Sequence, residues 1–260
     1  GTPYYFRVMA AVRNGNIERG LLFFHQALEE DELTRGPVTS GPAWSFVTLD
    51  YDNRYQAALQ IVQSRANWLE QRLNAYKASG RGSLSLADFR GRVLNKAGLS
   101  EATFSFTHAV FRSEILLSLP VEFRSSSFAS QIELDTLFSF SRIAEVWLKT
   151  QQPPANRHER QLGGQLIRFF KSQGWGLSEK DLSAIGSADF ELTLTALLDG
   201  QQGPLLQAYL SAEGDLILIY ILRNAAGHAP TSSNVVHTRY SDLLERMLFG
   251  LFVIGERLFP

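Results

Sequence analysis

Apolar residues recur at steps of three and four along most of this chain, and that spacing constrains its fold more than any other feature. In residues 16–33, Ile17, Leu21, Phe24 and Leu28 fall on one helical face. A longer helix is expected over 53–78, with Ala58, Ile61, Val62, Leu69 and Leu73 as its buried stripe. Glycines in 79–82 stop it. Further helices are expected over 85–96, 101–119, 128–149, 159–172, 178–198 and 240–258. Ser85 and Asp88 have the spacing of an N-cap with an acid three residues on. The run Leu216 to Leu222 is apolar throughout, which suits a buried strand or a buried helix. With helices on both sides and no partner strand, 205–223 reads as helix. Loops fall at 34–42, 151–154, 199–204 and 230–234, where Gly, Pro and Ser gather. No hairpin signal interrupts this pattern, so the expected fold is all-α.

Pro120 and Ser125-Ser126-Ser127 mark the best internal boundary. They divide the chain into an N-terminal helical domain, 1–120, and a C-terminal helical bundle, 125–260. Residues 16–33 are also similar to half of a tetratricopeptide unit. Only one such unit is visible, whereas solenoids need about three. A length of 260 residues with 45% hydrophobic and 20% charged residues allows a sizeable core. The chain has no Cys, which excludes disulfides, thiolate catalysis and Cys-based zinc sites. Its longest apolar run is too short to span a bilayer. It opens Gly1-Thr2-Pro3 rather than on Met, which is compatible with more protein upstream, and no signal-peptide pattern follows. A cytoplasmic location and no membrane contact are expected. Residues 125–260 hold 11 Lys+Arg against 14 Asp+Glu, a net −3, so any nucleic-acid contact must be a local site rather than bulk charge.

Two Arg-to-His spacings stand out, Arg19…His25 and Arg223…His228. With five His in 260 residues, about one such spacing is expected by chance, so context must decide. Arg19 and His25 lie inside an amphipathic helix, where six steps leave them about 120° apart. Arg223 is followed directly by Asn224 and preceded by the apolar run that anchors it. Gly227 and Pro230 flank His228, so the helix can loosen or end there and let His228 turn toward Arg223.

Arg223-Asn224-Ala225-Ala226-Gly227-His228 resembles the R-(N/D/H)-x-x-x-H signature of HEPN domains, helical bundles among which this sequence is most similar to CRISPR-linked and abortive-infection ribonucleases. The order of elements over 125–260 is similar too. The resemblance implies a homodimer through the C-terminal domain, with two motif helices forming one composite cleft. It also implies metal-independent cleavage of single-stranded RNA, in prokaryotic antiviral defence or stress response. Arg223 suits the pentacoordinate transition state, because guanidinium binds phosphate in a two-pronged fashion. His228 suits proton transfer near neutral pH, and Asn224 suits orientation of either partner. His237 and Arg239, just past the motif loop, are expected to contact RNA in the same cleft. The closing helix carries Leu243, Leu244, Met247, Leu248, Leu251, Phe252 and Ile254, a surplus of apolar surface expected to face the second subunit.

Other candidates are weaker. His158, within Asn156-Arg157-His158-Glu159-Arg160, reads as a charged helix start and, secondarily, as a basic patch for RNA. Trp44, Trp68, Trp147 and Trp175 read as core. No His-x-x-x-His or Walker-type loop is present, so neither a metal site nor a cofactor is expected. No ligand-sensing αβ domain is visible, so any such regulatory domain or partner would lie outside this chain. Two non-catalytic readings accompany the ribonuclease. One is a helical scaffold, which a motif buried or blocked by the N-terminal domain would favour. The other is an antitoxin-like partner of a nucleotidyltransferase, which a Tyr exposed beside the motif would favour.

Overall fold

Helices form the only regular structure among the described residues. The computed structural model describes residues 2–36, 42–49, 56–96, 98–120, 127–199, 211–228 and 233–259. The tips of the loops expected at 34–42, 199–204 and 230–234, and most of the boundary at 121–127, lie outside them. Among the described residues no helix is long and apolar enough to cross a membrane.

Contacts divide the chain into two interleaved units, residues 1–71 with 85–111 and residues 72–84 with 112–260. The division differs from a single cut near Pro120. The helix expected over 53–78 and the one expected over 101–119 each begin in the first unit and end in the second. A boundary read from loop composition cannot see this, because no Gly or Pro marks a helix that changes partners midway.

In the first unit, α1 (Thr2–Arg13) and α2 (Ile17–Arg35) form a helical hairpin. Its turn needs Gly15, whose φ of +73° suits a residue without Cβ. Asn16 then caps α2 by accepting from the Arg19 amide at 3.2 Å. The short α3 (Pro42–Val47) packs on α2, with the Phe24 and Phe46 rings 3.8 Å apart and Phe46 stacked on Phe111 at 5.4 Å. The first part of α4 (Gln56–Ala78) belongs to this unit. Ser85 caps α5 (Leu86–Phe89) by accepting from the Asp88 amide at 3.1 Å. The expected helix over 85–96 does not continue in α form. It widens into a π turn at Arg90–Leu94, where Gly91 lowers helix preference. The unit closes with the first part of α6 (Ser100–Ser118). The segment similar to half of a tetratricopeptide unit, 16–33, falls in the hairpin of α1 and α2.

The second unit is built on three long helices in mutual contact, α7 (Ser127–Gln151), α11 (Ala212–His228) and α13 (Tyr240–Leu258). The strand alternative for 216–222 is thereby excluded, since the whole run lies inside α11. Its apolar residues are buried all round, as a core helix requires. Gly250 sets the crossing of α11 and α13. A Cβ there would lie 2.6 Å from Ile219 Cδ1 and 3.2 Å from the Asp215 carbonyl oxygen. Shorter helices α8 (Leu162–Ser172), α9 (Glu179–Ser187) and α10 (Phe190–Leu198) pack on α11, while α12 (Asn234–Thr238) lies against α7, α10 and α13. The helix expected over 178–198 is thus two. Ser178 and Asp181 form a capping box on α9, and Asp189 starts α10 by accepting from the Leu192 amide at 2.9 Å.

The surplus apolar surface expected on the closing helix is absent. Leu243, Leu244, Met247, Leu248, Leu251, Phe252 and Ile254 are each 1% exposed or less within the chain itself. The expectation assumed a four-helix bundle, whereas further helices cover α13 from other sides. The C-terminal end of α4 is one of them, with Tyr76 edge-on to Phe249 and Phe252 at 5.7 and 5.6 Å. Beneath this layer Asp215, fully buried, accepts from Arg246 Nε at 2.8 Å and from Arg81 Nε. Burial pushes its carboxyl above the usual carboxylate range, against the pull of Arg246 and Arg81.

Candidate functional site

Arg223 and Asn224 sit near the C-terminal end of α11, where the apolar run gives way to polar residues. Both line an open cavity of about 590 Å³ in the second unit. α7 contributes Glu145 to its wall, α11 contributes Tyr220, and α9 contributes Glu179, Leu182 and Ser183. A 3-10 turn at His158–Arg160 and the start of α8 complete it, bringing His158, Arg160 and Gln161.

Arg223 is held from one side only. Its Nε donates to Glu145 Oε2 at 3.1 Å, and its guanidinium carbon lies 5.0 Å from the Phe138 ring centroid. Glu145 also accepts from Lys149, one turn along α7. Burial raises the Glu145 carboxyl, but hydrogen bonds from Lys149 and Arg223 outweigh it and hold the group below the usual range. Among the described residues the terminal nitrogens of Arg223 have no partner, and neither do the Asn224 amide and the Tyr220 hydroxyl.

The close walls depend on glycine. A Cβ at Gly186 would lie 2.9 Å from the Tyr220 hydroxyl and 3.0 Å from Asn224 Nδ2, so both polar tips meet at this one point of α9. At Gly163 a Cβ would lie 3.2 Å from the Tyr220 ring, and at Gly164 it would be 2.5 Å from the His158 carbonyl oxygen. Tyr220 is half-buried by these contacts rather than exposed.

His228 is the last residue of α11, and its side chain lies outside the described structure. The helix ends at that position, one of the two outcomes that Gly227 and Pro230 allow, without loosening ahead of it. Five steps place positions 223 and 228 about 140° apart around the axis, whereas 224 and 228 share a face one turn apart.

The two residues expected to contact RNA are engaged elsewhere. His237, on α12, meets the fully buried Glu133 of α7, with Nδ1 3.1 Å from Oε2. Arg239 bridges Asp199 and Asp242, at 2.8 Å to each. Neither lines the cavity, because α12 turns this segment onto the bundle. The cation from a distant segment that does line it is Arg160, with His158 beside it at 3.4 Å from Glu179. The sequence reading singled out His158 as a basic patch but did not place it beside Arg223. Glu145 was missed as well, and the only signal was an acid four residues before Lys149 on an amphipathic helix.

The first unit keeps its own Arg–His pair apart. His25 bonds to Glu29 at 2.9 Å, while Arg19 lies over the Phe23 ring at 5.5 Å. Trp147 is fully buried and Trp44 nearly so, with its Nε1 donating to Asn95 at 3.0 Å. Trp175 packs edge-on against Phe169 at 5.8 Å. Among the described residues no group of three or more His, Asp or Glu is arranged to hold a metal ion. Comparison of the chain with protein-family models, curated proteins and solved structures gave no match.

Proposed function

We propose that the second unit cleaves single-stranded RNA without a metal ion, at a site made by Arg223, Asn224 and His228. The reading is carried by one observation: Arg223 is anchored through Nε to Glu145, its terminal nitrogens have no hydrogen-bond partner among the described residues, and the residue lines an open cavity together with Asn224. A guanidinium fixed at one edge and free at the other is arranged to grip a phosphate.

In the proposed reaction the RNA 2′-oxygen forms a bond to the adjacent phosphorus and the bond to the 5′-oxygen breaks. An imidazole takes the 2′-hydroxyl proton, and the departing 5′-oxygen gains one. Arg223 neutralises charge on the pentacoordinate phosphorus, and Asn224 orients it. Positions 223 and 228 lie on different sides of α11, so a second copy of the chain supplies the facing motif helix in this reading. The products are a 2′,3′-cyclic phosphate and a 5′-hydroxyl. Incubation with single-stranded RNA followed by end-group analysis tests this; fragments ending in 5′-phosphate would contradict it. The setting, prokaryotic defence or stress response, rests on the motif resemblance alone.

A scaffold reading draws on the ion pairs. Arg223, His237 and Arg239 all meet carboxylates of their own chain, as structural residues do. Arg223→Lys separates the two readings. A scaffold tolerates it, since Lys also pairs with Glu145, whereas the ribonuclease loses cleavage with the fold intact. The antitoxin-like reading draws no support from Tyr220, whose hydroxyl is packed against α9.

A further inference from the structure

We propose that the cavity beside Arg223 is a strand-binding subsite, in which Arg160 holds a phosphate of single-stranded RNA next to the one held by Arg223. The proposal rests on the ribonuclease reading for its ligand class and goes beyond it by naming a positioning residue outside the motif. Four observations carry it. The cavity, at about 590 Å³, falls within the range of small-molecule sites. Its polar lining is rich in uncommitted donors. Among the described residues Arg160 makes no ion pair, and Arg223 uses only its Nε. Asn224 and Tyr220 also line the cavity, although their polar tips pack at Gly186 of α9. A phosphodiester offers acceptors only, which is the complementary chemistry.

The carboxylates in the lining do not cancel this. Glu145 is answered by Lys149 as well as by Arg223, so a phosphate can share Arg223 without leaving Glu145 unpaired. Glu179 sits at the rim, two-thirds exposed, beside His158. The cavity wall is closely packed where Gly163 meets the Tyr220 ring and Gly164 meets the His158 backbone, and a Cβ at either position would press on those neighbours.

Binding is measured by fluorescence anisotropy with a labelled single-stranded RNA whose 2′-oxygens are all methylated. That probe cannot undergo 2′-hydroxyl attack, so binding is read apart from cleavage. Arg160→Ala is expected to weaken binding about tenfold and to lower the slope of log affinity against log salt by about 0.7, one phosphate contact on a single strand. Arg157→Ala removes an equal charge from the same exposed turn, outside the cavity lining, and is expected to change affinity less than about twofold. Equal losses from the two substitutions would show a diffuse charge effect and overturn the proposal. So would a parent protein that cleaves RNA but binds the probe no differently once Arg160 is gone. Binding that depends on Arg160 in a protein that cleaves nothing would sustain the subsite and sink only the catalytic reading.

Discussion

At the scale of single residues, what each charge is tied to decides what it can do. Glu145 is the hinge of the site, because it anchors Arg223 and is itself stabilised as a carboxylate. Its folded pKa lies below the unfolded value of 4.5, so the stability it contributes is fully present above that value and is lost as pH falls through the folded pKa. Glu145→Gln is therefore expected to cost about 1–2 kcal/mol at neutral pH, where two ion-paired hydrogen bonds are replaced by bonds from the same cations to a neutral amide, with the cost fading in acid. Denaturant melts of both proteins from neutral pH to below pH 4 check this, and a difference that stays constant across the range contradicts it. Substitution of a histidine in the first unit, His25→Ala, should leave RNA cleavage unchanged. It removes an exposed pair with Glu29 on α2 and a ring contact with Phe104, both within the first unit. A cleavage assay in which this variant fails would move the active site away from Arg223.

At the scale of elements, most helices were legible in the sequence, since burial of one face imposes the 3.6-residue spacing that α2, α7 and α13 display. The exceptions have local causes. Asp189 offered its side chain to the Leu192 amide and began a new helix where the apolar spacing alone ran on. The 3-10 turn at His158–Arg160 was read as the start of α8, so Arg160 was not placed in the cavity. Contacts between distant segments were not legible at all. Asp215 looks like an ordinary first-turn acid of α11, yet its partners are 134 residues before it and 31 after. The motif was visible because its residues are neighbours in sequence, and its supporting shell was hidden because Glu145 is 78 residues from Arg223. The α11–α13 crossing gives a prediction at this scale. Gly250→Leu should destabilise the protein by about 1–3 kcal/mol through overpacking against Ile219 and the Asp215 backbone. A thermal melt matching the parent would show that the two helices can separate freely.

At the scale of the whole molecule, two units share α4 and α6, so the second unit is completed by residues 72–84 from the N-terminal half. Arg81 is one of them, and with Arg246 it surrounds the buried Asp215. Arg246→Met should cost about 3–5 kcal/mol, because it leaves an incompletely compensated charge in the core. Denaturant unfolding measures that cost, and a change below about 1 kcal/mol would mean the network is not the anchor described. The same packing removes one argument for assembly. With α13 covered inside the chain, a homodimer must be earned by the composite site rather than by spare apolar surface. The central claim is that Arg223, Asn224 and His228 cleave RNA with no metal ion. It is tested most directly by the rate of single-stranded RNA cleavage in excess chelator, for the parent protein and for His228→Ala. The account predicts that the parent cleaves at an undiminished rate and that the variant, folded as judged by its melt, does not cleave. A parent that needs added Mg²⁺ or Mn²⁺, or a His228→Ala protein that cleaves as fast as the parent, would contradict it.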